Sequence, residues 1–161
     1  MPRLPESDND QSPGPGLDKL DHQILLRLQE DGRMPYRQIA RELEVSEGTV
    51  RARTGRMEEM GFLTIIAVAD PIRMGYRVQA FLLMKVRPGH AQEVVDELVT
   101  WPESTYVSDC VGVADIYMQV VCHDNEHLHD LLNNRMAALD AVTSVSTCIE
   151  LKMHKVSYKY S

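Results

Sequence analysis

The chain has 161 residues, 43% of them hydrophobic and 25% charged, with a net charge of −7. Its length suits one medium domain or two small ones, and its composition is that of a globular chain rather than a disordered or uniformly basic one. No apolar run approaches the ~18 residues of a membrane span, and the opening MPRLPESDND lacks the apolar core of a secretory signal.

Three cysteines, Cys110, Cys122 and Cys148, stand far apart without a CxxC pair, which predicts reduced thiols in a cytoplasmic protein. Charge is distributed unevenly. From Arg33 to Arg56 there are six arginines against three glutamates, whereas from Ala80 onward six basic residues meet eleven acidic ones. One stretch can therefore face phosphates while the remainder repels them.

Residues 1–16 hold four prolines and two glycines with almost nothing to bury, and predict a disordered tail. Leu17, Leu20, Ile24, Leu25 and Leu28 recur at spacings of three and four, one stripe of a helix over Leu17–Asp31 that Gly32 ends. Pro35 starts a short second helix over Tyr36–Leu43, with Ile39, Ala40 and Leu43 inward. Glu44 and Val45 make a tight turn. Ser46 then caps a third helix, Glu47 sits at its positive end, Val50, Thr54 and Met57 form its buried stripe, and Gly61 stops it. About 15 residues at ~1.5 Å each give a rod of roughly 22 Å, long enough to lie in a DNA major groove.

Two helices joined by a short turn, with a third behind them, predict a helix-turn-helix domain over 17–63. The bland alternatives are a surface helix with solvated arginines and a three-helix bundle for protein contact. As a reader, this region places Ser46 and Glu47 at the helix start, where a phosphate or base edge meets free amides. Thr49, Arg51 and Arg53 would reach the groove, while Arg56, Arg37 and Arg41 suit backbone phosphates. Arg53 has a second candidate role, pairing with an acid such as Glu44 to hold the reader.

After Gly61 the period changes. Leu63–Ala69, LTIIAVA, reads as a strand that Asp70-Pro71 breaks, so 64–78 forms a β linker or hinge. The pattern from residue 79 to 161 is then β-α-β-β-α-β. Strands are predicted over Gln79–Val86, Tyr106–Val111, Ile116–Cys122 and Val142–Tyr158, and helices over Ala91–Thr100 and Asn125–Leu139. The class is α+β: a winged-type helix-turn-helix followed by a ferredoxin-like βαββαβ sandwich. Helices cover one face of such a sheet, and apolar residues at both alternations in FLLM and IYMQVV predict that a second copy covers the other.

His123, His127 and His129 invite a metal reading, which would make the chain a small metal-dependent enzyme. No HExxH and no cysteine partner accompanies them, so no metal or other cofactor is expected, and neither a nucleophile set nor a phosphate loop marks catalysis.

This order of parts resembles the Lrp/AsnC (feast/famine) family of transcription regulators. LDKLDHQILLRLQEDGR at Leu17–Arg33 is similar to the family's opening helix. IARELEVSEGTVRARTGRMEEMGFL at Ile39–Leu63 is similar to its DNA reader, and ADPIRMGYRVQAFLLMKV to its linker and first sandwich strand. VGVADIYMQV matches its G-x-x-D turn at Gly112 and Asp115, and Thr147 matches a threonine of the last strand. Val113 and Val145 stand where the family often has an acid and a threonine, departures that bear on the identity of the effector.

The resemblance implies no enzyme but a regulator of double-stranded DNA that answers to an amino acid or similar metabolite, with the sandwich (the family's RAM domain) as sensing and oligomerisation module. The implied effector site includes Asp109, Val111, Gly112, Val113, Ala114, Asp115 and Thr147. Gly112 lets backbone amides approach a carboxylate, Asp115 and Asp109 can hold an ammonium, and small apolar Val111, Val113 and Ala114 suit an apolar ligand side chain. Dimers are implied to assemble further, commonly to octamers, with effector binding between dimers changing the spacing of the readers. The competing reading is an amino-acid-sensing oligomer that acts on protein partners without DNA.

Overall fold

A computed structural model describes residues 16–156, so the tail expected over 1–16 lies, but for Gly16, outside the described residues. Two compact units part between Val68 and Ala69.

The first unit is built on α1 (Lys19–Glu30), α2 (Tyr36–Glu42) and α3 (Glu47–Glu59). Asp18 and Asp21 form a reciprocal capping box that starts α1 two residues later than the apolar stripe alone suggests. Glu44, at φ 56°, takes the left-handed position between α2 and α3 that a glycine often fills. Ser46 caps α3 by accepting the Thr49 amide at 3.0 Å. Gly61, at φ 74°, ends it, with the Phe62 amide returning to the Met57 carbonyl at 2.9 Å. Ile24, Ile39, Val50 and Met57 are wholly buried between the helices, each contributing about 1.5–3 kcal/mol.

Leu63–Ala69 is not a strand. It runs without ladder partners, and Ile65, Ile66 and Val68 are exposed. The sequence has β-branched side chains in place, but a strand also requires a neighbour for its backbone, and none is present among the described residues. The wing-like strand expected after α3 is therefore not formed among the described residues.

In the second unit, β1 (Val78–Val86), β2 (Ser104–Asp109), β3 (Ile116–Cys122) and β4 (Val142–Ile149) make an antiparallel sheet in the order β2-β3-β1-β4. This is the ferredoxin-like arrangement. The helices α4 (Ala91–Leu98) and α5 (Asn125–Asp130) cover one face, and α5 continues through a π-helical turn (Leu131–Arg135) and a 3-10 turn (Met136–Ala138), not as the single helix expected. Leu82, Met84, Ile116, Met118 and Val120 meet Val94, Leu98, Leu128 and Leu131 in its core. β2 ends at Asp109, so Cys110 and Val111 leave the ladder earlier than expected. β4 ends at Ile149, and Leu151 stands exposed beyond it; Tyr158, expected to end that strand, lies outside the described residues.

Opposite the helices, Phe81 and Tyr117 stack at 5.9 Å and Tyr106 meets Tyr117 edge-on at 5.6 Å. Cys148 lies beside Phe81 on the same open face. The helix-covered Cys122 is inert by contrast, its thiol pushed up to about 11 by burial and by the nearby Glu103 and Asp124.

Candidate DNA-reading and effector sites

The axis of α3 divides its residues cleanly. Val50, Thr54 and Met57 face the core, while Gly48 and Ala52 lie outward. Ser46, Glu47, Gly48 and Thr49 form the first turn, and the Ser46 and Thr49 hydroxyls lie 2.8 Å apart. The helix thus presents a polar N-terminal turn and a small-residue outer surface. The Thr54 hydroxyl is buried without a hydrogen-bond partner among the described residues.

The arginines are arranged differently from the sequence expectation. Arg53 does not reach outward; it takes its second candidate role of pairing with an acid, but with Asp18 and Asp21 rather than Glu44. Its guanidinium donates to Asp18 and, at 2.9 Å, to Asp21. Arg56 donates to Asp21 as well. Asp21 is fully buried, and its Oδ2 also accepts the Asp18 amide at 3.1 Å. Residues 18 and 21 are one turn apart on α1, as are 53 and 56 on α3, so two acids meet two arginines across the helix pair. Arg53 holds the Asp18 carboxyl down at about 2, assisted by the Asp21 amide. Arg51 remains mostly exposed, paired with Glu47 at 2.9 Å and 5.3 Å from the Tyr36 ring centroid. Arg37 and Arg41 are exposed, without an ion-pair partner among the described residues, and line a shallow open hollow with Pro35, Gln38 and Glu42. Arg33, counted in the basic stretch but given no DNA contact because it lies in the turn before α2, is likewise exposed and without an ion-pair partner among the described residues.

In the second unit the turn from residue 110 to 115 joins β2 to β3. Gly112 has φ 127°, a conformation costly for any L residue. The amides of Val111, Gly112, Val113 and Ala114 donate to no acceptor among the described residues, while the Cys110 amide closes the turn on the Asp115 carbonyl at 2.9 Å. Val111 and Val113 project fully into solvent. Asp109 is exposed with no ion-pair partner among the described residues.

Three of the expected effector contacts are placed otherwise. Asp115 is already engaged, accepting Lys85 Nζ at 2.9 Å and the Val86 amide at 3.0 Å, contacts that hold its carboxyl below the usual range. Ala114 is buried. Thr147 sits on β4 opposite Leu82, separated from β3 by β1, so one protomer does not bring it to the turn. Lys85, which also donates to the Gly112 carbonyl at 3.0 Å, is the residue missed. Its signal was a lone cation ending the apolar run FLLMKV.

The histidines form a network instead of a metal site. His127 Nδ1 accepts the His123 amide at 3.3 Å and Nε2 donates to Glu103 at 3.0 Å, which also takes Arg135 at 2.7 Å. Burial alone would raise the Glu103 carboxyl, but its own amide, His127 and Arg135 hold it below its ordinary value. Tyr76 stacks on His123 at 4.6 Å and anchors the start of this unit. No group of three metal-ligating side chains occurs among the described residues.

Residues 17–58 match the AsnC-type helix-turn-helix domain, and residues 79–160 match the Lrp/AsnC ligand binding domain. An HTH-type transcriptional regulator of Pyrococcus horikoshii is 37% identical over 143 residues, 88% of this chain and 90% of that one. The regulatory protein AsnC of Haemophilus influenzae is 28% identical over 138 residues, 84% and 92% of the two chains. Among solved structures, E. coli AsnC superposes with a TM-score of 0.80 at 25% identity, covering 88% of this chain and 96% of that one. The L-Met complex of a transcriptional regulator from Neisseria meningitidis gives 0.83 at 21%, covering 91% and 97%.

Proposed function

The chain belongs to the Lrp/AsnC family of transcriptional regulators, a non-enzymatic class with a DNA-binding and a ligand-binding domain, and on that footing we propose which residues meet DNA and which meet the effector. The reader is α3, entering the major groove with its first turn foremost, so that Ser46, Glu47, Thr49 and Arg51 lie near base edges. Arg33, Arg37 and Arg41 take backbone phosphates beside it, and Arg53 holds the reader against α1.

The effector is a free amino acid or close relative with an apolar side chain. Unpaired amides of the 110–115 turn suit its carboxylate, Asp109 its ammonium, and Val111 and Val113 its side chain. The L-Met named for the Neisseria regulator has this chemistry. Lys85 and Asp115 shape the turn without contacting the ligand. A second copy covers the open sheet face around Phe81, Tyr106 and Tyr117, and pairs with the exposed Leu63–Ala69 segment. Assembly beyond the dimer, up to an octamer, brings the exposed valines of neighbouring turns under cover and completes the site with Thr147 of another protomer. The protein works in the cytoplasm, where its DNA is.

The observation that carries the sensing half is the turn itself: four consecutive unpaired amides from Val111 to Ala114, two of them of exposed valines, beside the Lys85–Asp115 pair. A thermal-shift screen of the full chain against the twenty amino acids tests it. A rise confined to apolar amino acids is expected, and no shift with any of them removes the effector reading. A mobility shift with the protein's own promoter region separates this regulator from a sensor of protein partners, which would give no salt-sensitive shift.

A further inference from the structure

We infer that Asp18 and Asp21 are positioning residues that set the strength of sequence-independent DNA binding: they withhold Arg53 and Arg56 from DNA phosphates, leaving those contacts to Arg33, Arg37 and Arg41. The inference rests on the DNA-binding reading above and deepens it.

Charge counting raises the question. From Leu17 to Leu63 there are eight basic and nine acidic residues, a net charge of −1. This unit is not drawn to a polyanion by its overall charge, so the arrangement of its charges decides. Each of the three arginines of α3 is in an internal ion pair. The pairs are unequal. Arg51 shares an exposed pair with Glu47 on its own helix, which a phosphate displaces readily. Arg53 and Arg56 instead converge on Asp21, whose side chain is 0% exposed. Removing them would strand a carboxylate in the core. Asp18 has both oxygens occupied, one capping α1 and the other on Arg53. The low pKa of Asp18 keeps that partner charged throughout the physiological range.

Unpaired cations give a protein its sequence-independent affinity for DNA, because each phosphate they neutralise releases counterions. Two further free arginines on the reader would strengthen binding to every sequence alike. Paired on α1, Arg53 (29% exposed) and the half-exposed Arg56 have their charges balanced by the aspartates, and base contacts are left to the first turn and to Arg51. The aspartates thus lower the part of DNA binding that does not depend on sequence.

The test measures fluorescence anisotropy of the full chain with a labelled duplex of arbitrary sequence, across salt from about 50 to about 200 mM. Asp18→Asn is the principal variant, since asparagine still caps the helix while losing its charge on Arg53. Because Arg53 keeps its pair with Asp21, the salt slope is expected to steepen by part of the ~0.9 of a fully freed cation, making the affinity lost across that range larger than in the wild type by up to about 3.5-fold. Asp18→Asn combined with Asp21→Asn, freeing both arginines, is expected to give about a 12-fold larger loss for two added phosphates. Adding Arg53→Gln to Asp18→Asn should return the slope to the wild-type value. Glu30→Gln, the same change of charge on an exposed acid of α1, should leave the slope unaltered.

A purely structural role predicts the opposite sign, weaker binding with a slope no steeper. The inference is overturned if folded Asp18→Asn shows no steepening, or if Glu30→Gln steepens the slope as much. Should the double variant fail to fold, Asp18→Asn decides alone. A wild type that binds no duplex overturns the DNA reading itself, whereas wild-type binding with an unchanged Asp18→Asn slope overturns only this inference.

Discussion

Replacing Gly112 by alanine probes the effector turn with little steric ambiguity. The residue has φ 127°, and a Cβ built there meets no atom within 4 Å. The cost of Gly112→Ala is therefore backbone strain, on the order of 1–3 kcal/mol for an L residue held outside its allowed regions. The turn can escape that strain by relaxing, because Val111, Gly112 and Val113 are exposed. Relaxation would spare the sheet, where β3 stays paired with β1 over Val78–Met84. It would not spare a ligand held by the turn's amides. If the strain is charged to the bound state, each ~1.4 kcal/mol weakens binding about tenfold, so a loss of about fivefold to a hundredfold is expected. The assay is titration calorimetry with whichever amino acid shifts the wild type most, alongside thermal unfolding of the ligand-free variant. Unchanged affinity in a variant whose turn has demonstrably moved would refute the assignment.

Three other outcomes follow from the same coordinates. Gly55 sits in the interior of α3 with open space around it, so Gly55→Ala should raise stability by about 0.5–1 kcal/mol in thermal or denaturant unfolding through helix propensity. Phe81→Asp places a charge in the aromatic cluster of the open sheet face and should shift the chain to monomers in sedimentation velocity while far-ultraviolet dichroism stays native. Acid should loosen the fold in a defined direction. Asp18, Glu42, Glu103 and Asp115 all have folded-state pKa values below their ordinary ones, so their stabilisation is present above roughly pH 4 and is lost as pH falls toward about 2. A pH titration of the unfolding midpoint should decline through that window, and a flat profile there would contradict the ion pairing described.

Much of this architecture was legible because burial leaves a period. The 3 and 4 spacing of Ile24, Leu28, Val50, Thr54 and Met57 marks helices whose packed faces are those observed. The β-α-β-β-α-β order of apolar runs yields the sheet directly. What periodicity does not encode is the pairing of charges distant in sequence. Asp21 and Arg53 are 32 residues apart, and nothing in either helix alone matches them. The available clue was an acid inside the leucine stripe of α1, a position that is buried only when a cation meets it. Asp115 illustrates the same limit, since its role as a turn residue was visible but its engagement by Lys85 was not. Leu63–Ala69 is the converse case: strand-forming side chains are present, and no neighbour among the described residues completes the ladder.

The central claim is that this chain binds duplex DNA through charges on its helical unit and that an amino acid modulates the binding. The most direct measurement is anisotropy of a labelled duplex from its own promoter region, titrated with the full chain across a salt series, with and without the amino acid that stabilises it. Affinity should fall with a log–log slope of about −0.9 for each phosphate engaged, and the amino acid should change the affinity at fixed salt. Binding that is absent or indifferent to salt, or that no amino acid alters, would contradict the account.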